Sequence, residues 1–226
     1  TVDAYQILVK NRIILSEQFA GEKLQSYLQS QNIFAGAAIY FTNKLNTKTS
    51  GIDITGRYAI NTGKEGNLKL ILSANFNKNE ITNKNDVKTP DKIKQFSDTP
   101  LLGEVEITRI ENANPNNVIN LIFDYNKKKW NIMLRNVRFG NITWSEYNDN
   151  GDIVQQLFSS KIQTDLEVGY KLSQGIHFAL GSNNILDVYP DKFRKDLAFG
   201  GIFQYDGTYP LGFNGRYIYA RFTYRM

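Results

Sequence analysis

The ionisable side chains are the place to look for chemistry, and few of them are grouped as an active site requires. His177 is the only histidine and the chain has no cysteine, so its own residues cannot form a His- or Cys-based metal cluster or catalytic dyad. Two carboxylate pairs have i, i+2 spacing, which places both members on one face of a strand: Glu104/Glu106 and Asp165/Glu167. Such a pair could bind a cation, but beside Arg and Lys it also suits a solvated wall. We therefore expect no catalytic residue, no metal and no cofactor.

The elements that carry these side chains are strands, and residues 215–226 (GRYIYARFTYRM) show the pattern most clearly. One face is apolar and comprises Ile218, Ala220, Phe222, Tyr224 and Met226. The other face is polar and cationic and comprises Tyr217, Tyr219, Arg221, Thr223 and Arg225. In a soluble sandwich the apolar face packs on a core, whereas in an outer-membrane barrel it faces lipid and the polar face lines the interior.

Comparable alternation recurs along the chain and predicts about eight meandering strands. Besides the last, they cover residues 1–15, 36–60, 68–76, 119–125, 130–139, 166–172 and 176–180. The apolar parity changes after Leu134, which predicts a bulge near Asn136.

The connections differ in length in a regular way. Short turns at 61–66, 126–129 and 173–175 alternate with long segments, as in an up-and-down barrel. Leu24, Tyr27 and Leu28 have helical spacing and predict a short amphipathic helix within one long connection. Residues 77–100, 146–160 and 184–214 are predicted to be loops. Aromatic residues lie on the apolar parity near the short turns and predict an interfacial girdle: Tyr58, Tyr125, Trp130, Tyr170 and Tyr224.

Composition excludes several classes of protein. A mean hydropathy of −0.41 rules out a bundle of apolar transmembrane helices, although a barrel strand needs only about half of its residues apolar. The net charge of +5 is spread over the loops, which is unlike the dense basic stripe of a nucleic-acid-binding protein. The first residues, TVDAYQILV, lack a signal peptide, so we expect a chain that starts within a longer protein.

Four segments resemble the C-terminal part of TonB-dependent outer-membrane receptors, in that family's order. They are FTNKLNTKTSGIDI at 41–54, TRIENANPNN at 108–117, GSNNILDVYPDK at 181–192 and the ending YPLGFNGRYIYARFTYRM at 209–226. The third is similar to the family's Asn-Leu-Phe-Asp box, with Leu186 at the position of Phe, and the chain ends in Met226 where the family has a terminal aromatic residue.

The resemblance implies an all-β fold: residues 1–226 would be the last third or so of an antiparallel up-and-down transmembrane barrel of about 22 strands. The plug domain and the segment that contacts the TonB complex would lie outside this chain. Its short turns would face the periplasm and its long loops the exterior. The implied function is import of an external small-molecule ligand, of siderophore, cobalamin or oligosaccharide type, across the outer membrane of a Gram-negative bacterium. The implied partners are the TonB complex, the plug, outer-membrane lipid and lipopolysaccharide. The lysines of 77–100 are candidates to bind the phosphates of lipopolysaccharide.

Three groups of residues are candidates for this function. Aromatic and basic loop residues could contact a ligand, although loop mini-cores use the same residue types: Tyr189, Phe193, Arg194, Tyr205 and Tyr209. Residues on the lumen parity could hold a plug or simply be solvated: Asp53, Arg57, Glu167, Arg221 and Arg225. The last strand could act in barrel assembly through Gly215, Tyr219, Phe222, Tyr224 and Met226.

Two alternatives remain open from the sequence. A self-contained eight-stranded outer-membrane barrel with a structural or adhesion role requires that the sheet close on itself. A soluble β-sandwich binding module requires that Ile218, Phe222 and Tyr224 be buried.

Overall fold

The computed structural model describes residues 1–148, 151–198 and 201–225. Its strands are β1 (Val2–Leu15), β2 (Phe19–Ala20), β3 (Ala37–Ala38), β4 (Phe41–Asn61), β5 (Gly66–Ile81), β6 (Asn117–Lys127), β7 (Trp130–Phe139), β8 (Ile142–Tyr147), β9 (Ile153–Phe158), β10 (Lys161–Lys171), β11 (Ile176–Asn183) and β12 (Tyr217–Tyr224). Its helices are α1 (Glu22–Ser30), α2 (Asp91–Lys94) and α3 (Glu104–Glu111), with a 3₁₀ turn at Lys84–Asp86. None of these helices is long and apolar enough to cross a membrane.

The main sheet contains eight strands in the order β1-β4-β5-β6-β7-β10-β11-β12, and every neighbouring pair is antiparallel. This meander confirms the predicted strand number and topology. Because β1 and β12 lie at opposite ends of the order, the sheet is open. The openness is evidence against a self-contained eight-stranded barrel.

The two faces of the sheet divide as the alternation predicts. On the outward face, Ile218, Phe222 and Tyr224 are 64%, 66% and 60% exposed, which contradicts the soluble sandwich. The outward residues of β5 from Leu68 to Phe76 extend over about 27 Å of strand, or roughly 20 Å of height at the usual barrel tilt, close to the apolar band of an outer-membrane barrel.

The predicted aromatic residues lie together at the short-turn end of this band. Trp130 and Tyr170 are cross-strand partners with ring centroids 4.7 Å apart, and Tyr224 pairs with Ile176 at the end of β11. Rings at one height are typical of an interfacial girdle.

The long connections are more ordered than the sequence predicts. Residues 77–100 were expected to be one polar loop, but β5 continues to Ile81, and Val87, Ile93 and Phe96 then contribute to a hydrophobic cluster. Residues 146–160 were likewise expected to be a loop, yet β8 and β9 form a hairpin. These predictions are wrong because the apolar residues of 77–100 are isolated between polar ones and those of 146–160 occur as two adjacent pairs, so neither segment shows an alternating or helical period.

Two hydrophobic clusters lie under these connections. The first joins residues 14–45 to residues 81–110 and has as its buried members Ile14, Phe19, Leu24, Leu45, Ile81, Val87, Leu101 and Leu102. The second joins residues 139–158 to residues 193–211 through Ile142, Phe158 and Tyr209. Helix α1 confirms the predicted amphipathic helix, with Leu24 buried in the first cluster.

Three finer predictions are also corrected. The register of β7 with both neighbours runs without interruption, so the bulge near Asn136 is absent from the described strand. The apolar parity changes there because Val137 is buried on the inner face and Phe139 packs on the second cluster. Glu104 and Glu106 lie in helix α3 rather than on a strand, and the strand predicted over 36–60 begins at Phe41 in β4.

Candidate functional site: lumen wall and outer loops

The carboxylates of the inner face have partners within the wall. Asp53 accepts a 2.6 Å hydrogen bond from Asn75 Nδ2, which also donates to Tyr5 Oη at 3.1 Å. Asp165 is buried and accepts from the main-chain N–H of Asn184 at 2.8 Å, and its other oxygen lies 3.4 Å from Arg135. Amide and guanidinium donors therefore compensate the negative charge locally.

Glu167 is the centre of a second polar group on this face. It is buried and accepts from Tyr219 Oη at 2.8 Å and from Arg221 at 2.6 Å. The Tyr219 ring reaches Glu167 by crossing Gly181, where an added Cβ would lie 2.3 Å from the ring. A glycine at this point of β11 is therefore required for the hydrogen bond.

The cations of the inner face are less well compensated. Arg221 shares Glu167, but among the described residues no side-chain hydrogen bond or ion pair reaches Arg57, Lys171, His177 or Arg225. Three of these side chains, from Lys171, His177 and Arg225, line one cleft with Arg221 beside the 173–175 turn. The structure thus brings Glu167, Arg221 and Arg225 to one end of the wall, whereas Asp53 and Arg57 lie on β4, four strands from β10 and six from β12.

The candidate ligand residues occupy two environments. Tyr189 stacks on Tyr205 with ring centroids 5.7 Å apart, and the Asp187 carboxylate raises the pKa of the Tyr189 phenol. Arg194 is exposed and makes two hydrogen bonds to Asp196, of 3.0 and 2.8 Å. These side chains lie at the surface of the 184–216 segment, where a ligand can reach them.

Phe193 and Tyr209 instead lie in the second hydrophobic cluster. Tyr209 is 2% exposed and donates to the carbonyls of Ser159 (3.1 Å) and Gly140 (3.4 Å). Phe193 packs edge-to-face on Phe158 at 5.4 Å. For these two residues the structure supports the alternative of a loop mini-core.

The residue that sequence reasoning missed is Glu17, which joins three connections. It is 2% exposed, and its Oε1 accepts from the main-chain N–H of Glu106 at 3.1 Å. Helix α3 begins after Gly103, which has no side chain to cap it, so Glu17 supplies the missing N-cap acceptor from 89 residues away. Its Oε2 accepts from Tyr147 Oη of β8 at 3.0 Å.

Burial governs the electrostatics of this group. It raises the pKa of Glu106, which the adjacent Arg109 opposes. Burial and the hydrogen bond to Glu17 together raise the pKa of Tyr147 to about 12. Arg109 also lies over the Trp144 ring at 5.7 Å, which extends the contact between α3 and β8.

The start of the last strand is fixed by the segment that resembles the Asn-Leu-Phe-Asp box. Asp187 accepts from the Arg216 N–H at 2.8 Å. Gly215 has φ +70°, and an added Cβ would clash with Tyr189. Phe222 and Tyr224 face outward whereas Tyr219 faces the lumen. Met226 lies outside the described residues, so its predicted role in assembly stays a prediction.

Comparison with known proteins shows the fold. No family model and no curated protein matches the sequence. Among solved structures, a mutant ferric enterobactin receptor (PfeA) from Pseudomonas aeruginosa has 17% identity and a TM-score of 0.58, with 99% of this chain and 28% of the receptor covered. The pyoverdine outer-membrane receptor FpvA of the same species, bound to pyoverdine, has 10% identity and a TM-score of 0.58, covering 100% and 27%.

The outer-membrane transporter YddB from Escherichia coli is similar to a comparable degree, with 9% identity, a TM-score of 0.57, and 98% and 29% of the two chains covered. The chain thus spans between a quarter and a third of the length of these receptors. At such identities the likeness establishes the fold, that of a barrel-wall segment of outer-membrane receptors, and confirms the architecture expected from the four sequence segments.

Proposed function

We propose that residues 1–226 form the C-terminal part of the barrel wall of a TonB-dependent outer-membrane receptor, which binds an external nutrient and imports it into the periplasm. The observation that carries the proposal is the open eight-stranded sheet, with a lipid-type outer face and an ionic inner face. An open sheet needs further strands to satisfy the main-chain groups of β1 and β12 within a bilayer.

The inner face would hold a plug domain rather than line an empty channel. Glu167 with Arg221, and Asp53 with Asn75, present polar groups already fixed in position, and fixed partners favour a specific protein contact over simple solvation. Arg57 and Arg225 remain available for such contacts. The TonB complex of the inner membrane would act on the plug, so this chain would transmit force without catalysing a reaction.

The outer segments would capture the ligand. Tyr189, Tyr205 and Arg194 are the accessible candidates, while Phe193 and Tyr209 would support them from below. The ligand class would be a siderophore, a cobalamin or an oligosaccharide, since stacked aromatic rings and a guanidinium at the surface can contact any of these.

Two of the lysines of 77–100 would contribute less to lipopolysaccharide binding than the sequence predicts. Lys84 is paired with Glu111 at 2.8 Å and Lys94 with Asp91 at 3.1 Å, which reduces their charge toward lipopolysaccharide phosphates. Lys78 lies on β5 beyond Phe76, and its ion pair with Glu80 leaves the side chain 73% exposed. Because its side chain is the most exposed of these three paired lysines, Lys78 is the candidate contact for the outer leaflet.

The test is the size and energy dependence of the native protein. An antibody against residues 83–100 should detect, in the outer-membrane fraction, a heat-modifiable species about four times the 25.9 kDa of this chain, since the chain covers roughly a quarter of its structural neighbours. The purified full-length protein should also bind the periplasmic domain of TonB. A membrane species of 25.9 kDa, or full-length protein without affinity for TonB, would contradict the proposal.

A further inference from the structure

Cations outnumber carboxylates at the short-turn end of the inner face. Lys171 and His177 are cross-strand partners on β10 and β11, and His177 is opposite Thr223 on β12. Arg225 follows at the 173–175 turn, where its N–H donates to the Gly175 carbonyl at 2.8 Å. The side chains therefore share one face and one height, around a cleft of about 490 Å³.

The carboxylates of the wall do not balance this charge. Of the four residues Lys171, His177, Arg221 and Arg225, only Arg221 donates to Glu167. The second carboxylate oxygen of Glu167 accepts from Tyr219 Oη. In the described parts of the chain, Lys171 and Arg225 have no ion pair. Positive charges gathered around one cleft repel one another, and the repulsion is stronger within a lumen than in open water.

We infer that this cleft, defined by Lys171, His177, Arg221 and Arg225, is the docking site of an acidic segment of the plug, that is, of a stretch of polypeptide carrying Asp or Glu side chains at the periplasmic end of the lumen. The inference rests on the proposed function, since it requires a plug. Charge complementarity selects the occupant: the wall supplies guanidinium and ammonium donors without acceptors, and carboxylates are the partners that such donors bind most strongly.

His177 packs against a glycine of the neighbouring strand. Gly169 lies beside His177, whose Nε2 would be 2.9 Å from an added Cβ. The imidazole therefore packs over Gly169 of β10, beside Lys171 and Arg225, which line the same cleft. A larger residue at 169 would push the ring into the space that the acidic segment occupies.

The direct test is zero-length crosslinking of the full-length receptor in outer membranes. A carbodiimide joins an amine to a carboxylate that touches it, and mass spectrometry identifies the two peptides. Lys171 should be joined to an Asp or Glu of the plug, and Lys171→Arg should lose that product because a guanidinium does not react. Lys64, in the exposed 61–66 turn, is the matched lysine outside the lumen and should not give it.

A second measurement covers the energetic consequence. In Lys171→Gln, amide exchange of the crosslinked plug segment should accelerate about two- to fivefold, the range of a partly solvated ion pair; Lys64→Gln should leave it unchanged. The inference is overturned if Lys171 joins only carboxylates of the barrel wall or none at all, or if both variants exchange like the wild type. A receptor that contains a protected plug but fails these tests retains the proposed function, whereas absence of any plug refutes both.

Discussion

Glu17 allows the order of the outer connections to be tested by one substitution. Its carboxylate accepts from Glu106 N–H and Tyr147 Oη while 2% exposed. Glu17→Ala would leave two donors without their acceptor, and each such donor costs roughly 1–3 kcal/mol when buried. Loss of the N-cap of α3 is part of the same cost.

Two effects oppose this loss. Removing Glu17 relieves its repulsion of Glu106, which contributes to the raised pKa of that residue, and water can enter beside Gly103, which the Glu17 side chain now covers. We expect a net destabilisation of about 2 kcal/mol, because a buried ionic acceptor with two donors outweighs partial rehydration. This corresponds to roughly 30-fold faster opening of α3.

The assay is hydrogen–deuterium exchange of the full-length receptor in detergent, followed on peptides that cover α3 and β8. Glu17→Gln keeps one acceptor and should give an intermediate rate. Glu22→Ala, at an exposed position in the first turn of α1, is the control and should leave α3 unchanged. If Glu17→Ala remains heat-modifiable like the wild type and α3 exchanges at the wild-type rate, the described role of Glu17 is wrong.

Two further predictions follow from the same contacts. Gly181→Ala should displace Tyr219 and destabilise the barrel by about 1–3 kcal/mol through overpacking, which lowers its unfolding temperature in SDS. Gly56→Ala is the control, because its added Cβ meets only one atom, at 4.0 Å, and it should leave that temperature unchanged. Equal effects of the two substitutions would contradict the argument. The raised pKa of Tyr147, about 12, predicts that the stability difference between wild type and Tyr147→Phe stays constant below about pH 10, where the unfolded phenol begins to ionise, and is lost as the pH rises through 12. A difference independent of pH over that range would show that Tyr147 lacks the burial and the bond to Glu17 that raise its pKa.

The transmembrane wall could be predicted from sequence because its constraints are local. Each strand of the sheet alternates between lipid and lumen, so the side-chain type at a position specifies its face without knowledge of its partners. Alternation alone assigned Phe222 to the outward face and Arg221 to the inner face, and the lengths of the turns predicted the order of the strands. The bulge near Asn136 was wrong for the same reason: alternation alone cannot show that Val137 is buried on the inner face and that Phe139 packs on a loop cluster.

The outer connections could not be predicted because their constraints are not local. Glu17 meets partners 89 and 130 residues away, and neither distance leaves a periodic signal. Only one hint was present in the sequence, the absence of a capping side chain at Gly103 before a helix-forming run. Tyr209 and Phe193 carried the same ambiguity, since an aromatic residue in a loop has equal reason to bind a ligand or to fill a core.

The order of these connections restricts how a ligand could act on the receptor proposed above. Two hydrophobic clusters and the contacts of Glu17 hold the outer segments together through side chains of this chain itself, so ligand binding to the proposed receptor would not have to supply the ordering entropy that a disordered loop requires. In that proposed receptor, a signal from Tyr189 or Tyr205 to the periplasmic side would pass through the lumen contents and not through the folding of the loops. Changes of ligand preference should therefore map to exposed side chains on this platform, whereas substitutions in Tyr209 or Glu17 should alter stability first and affinity only in consequence.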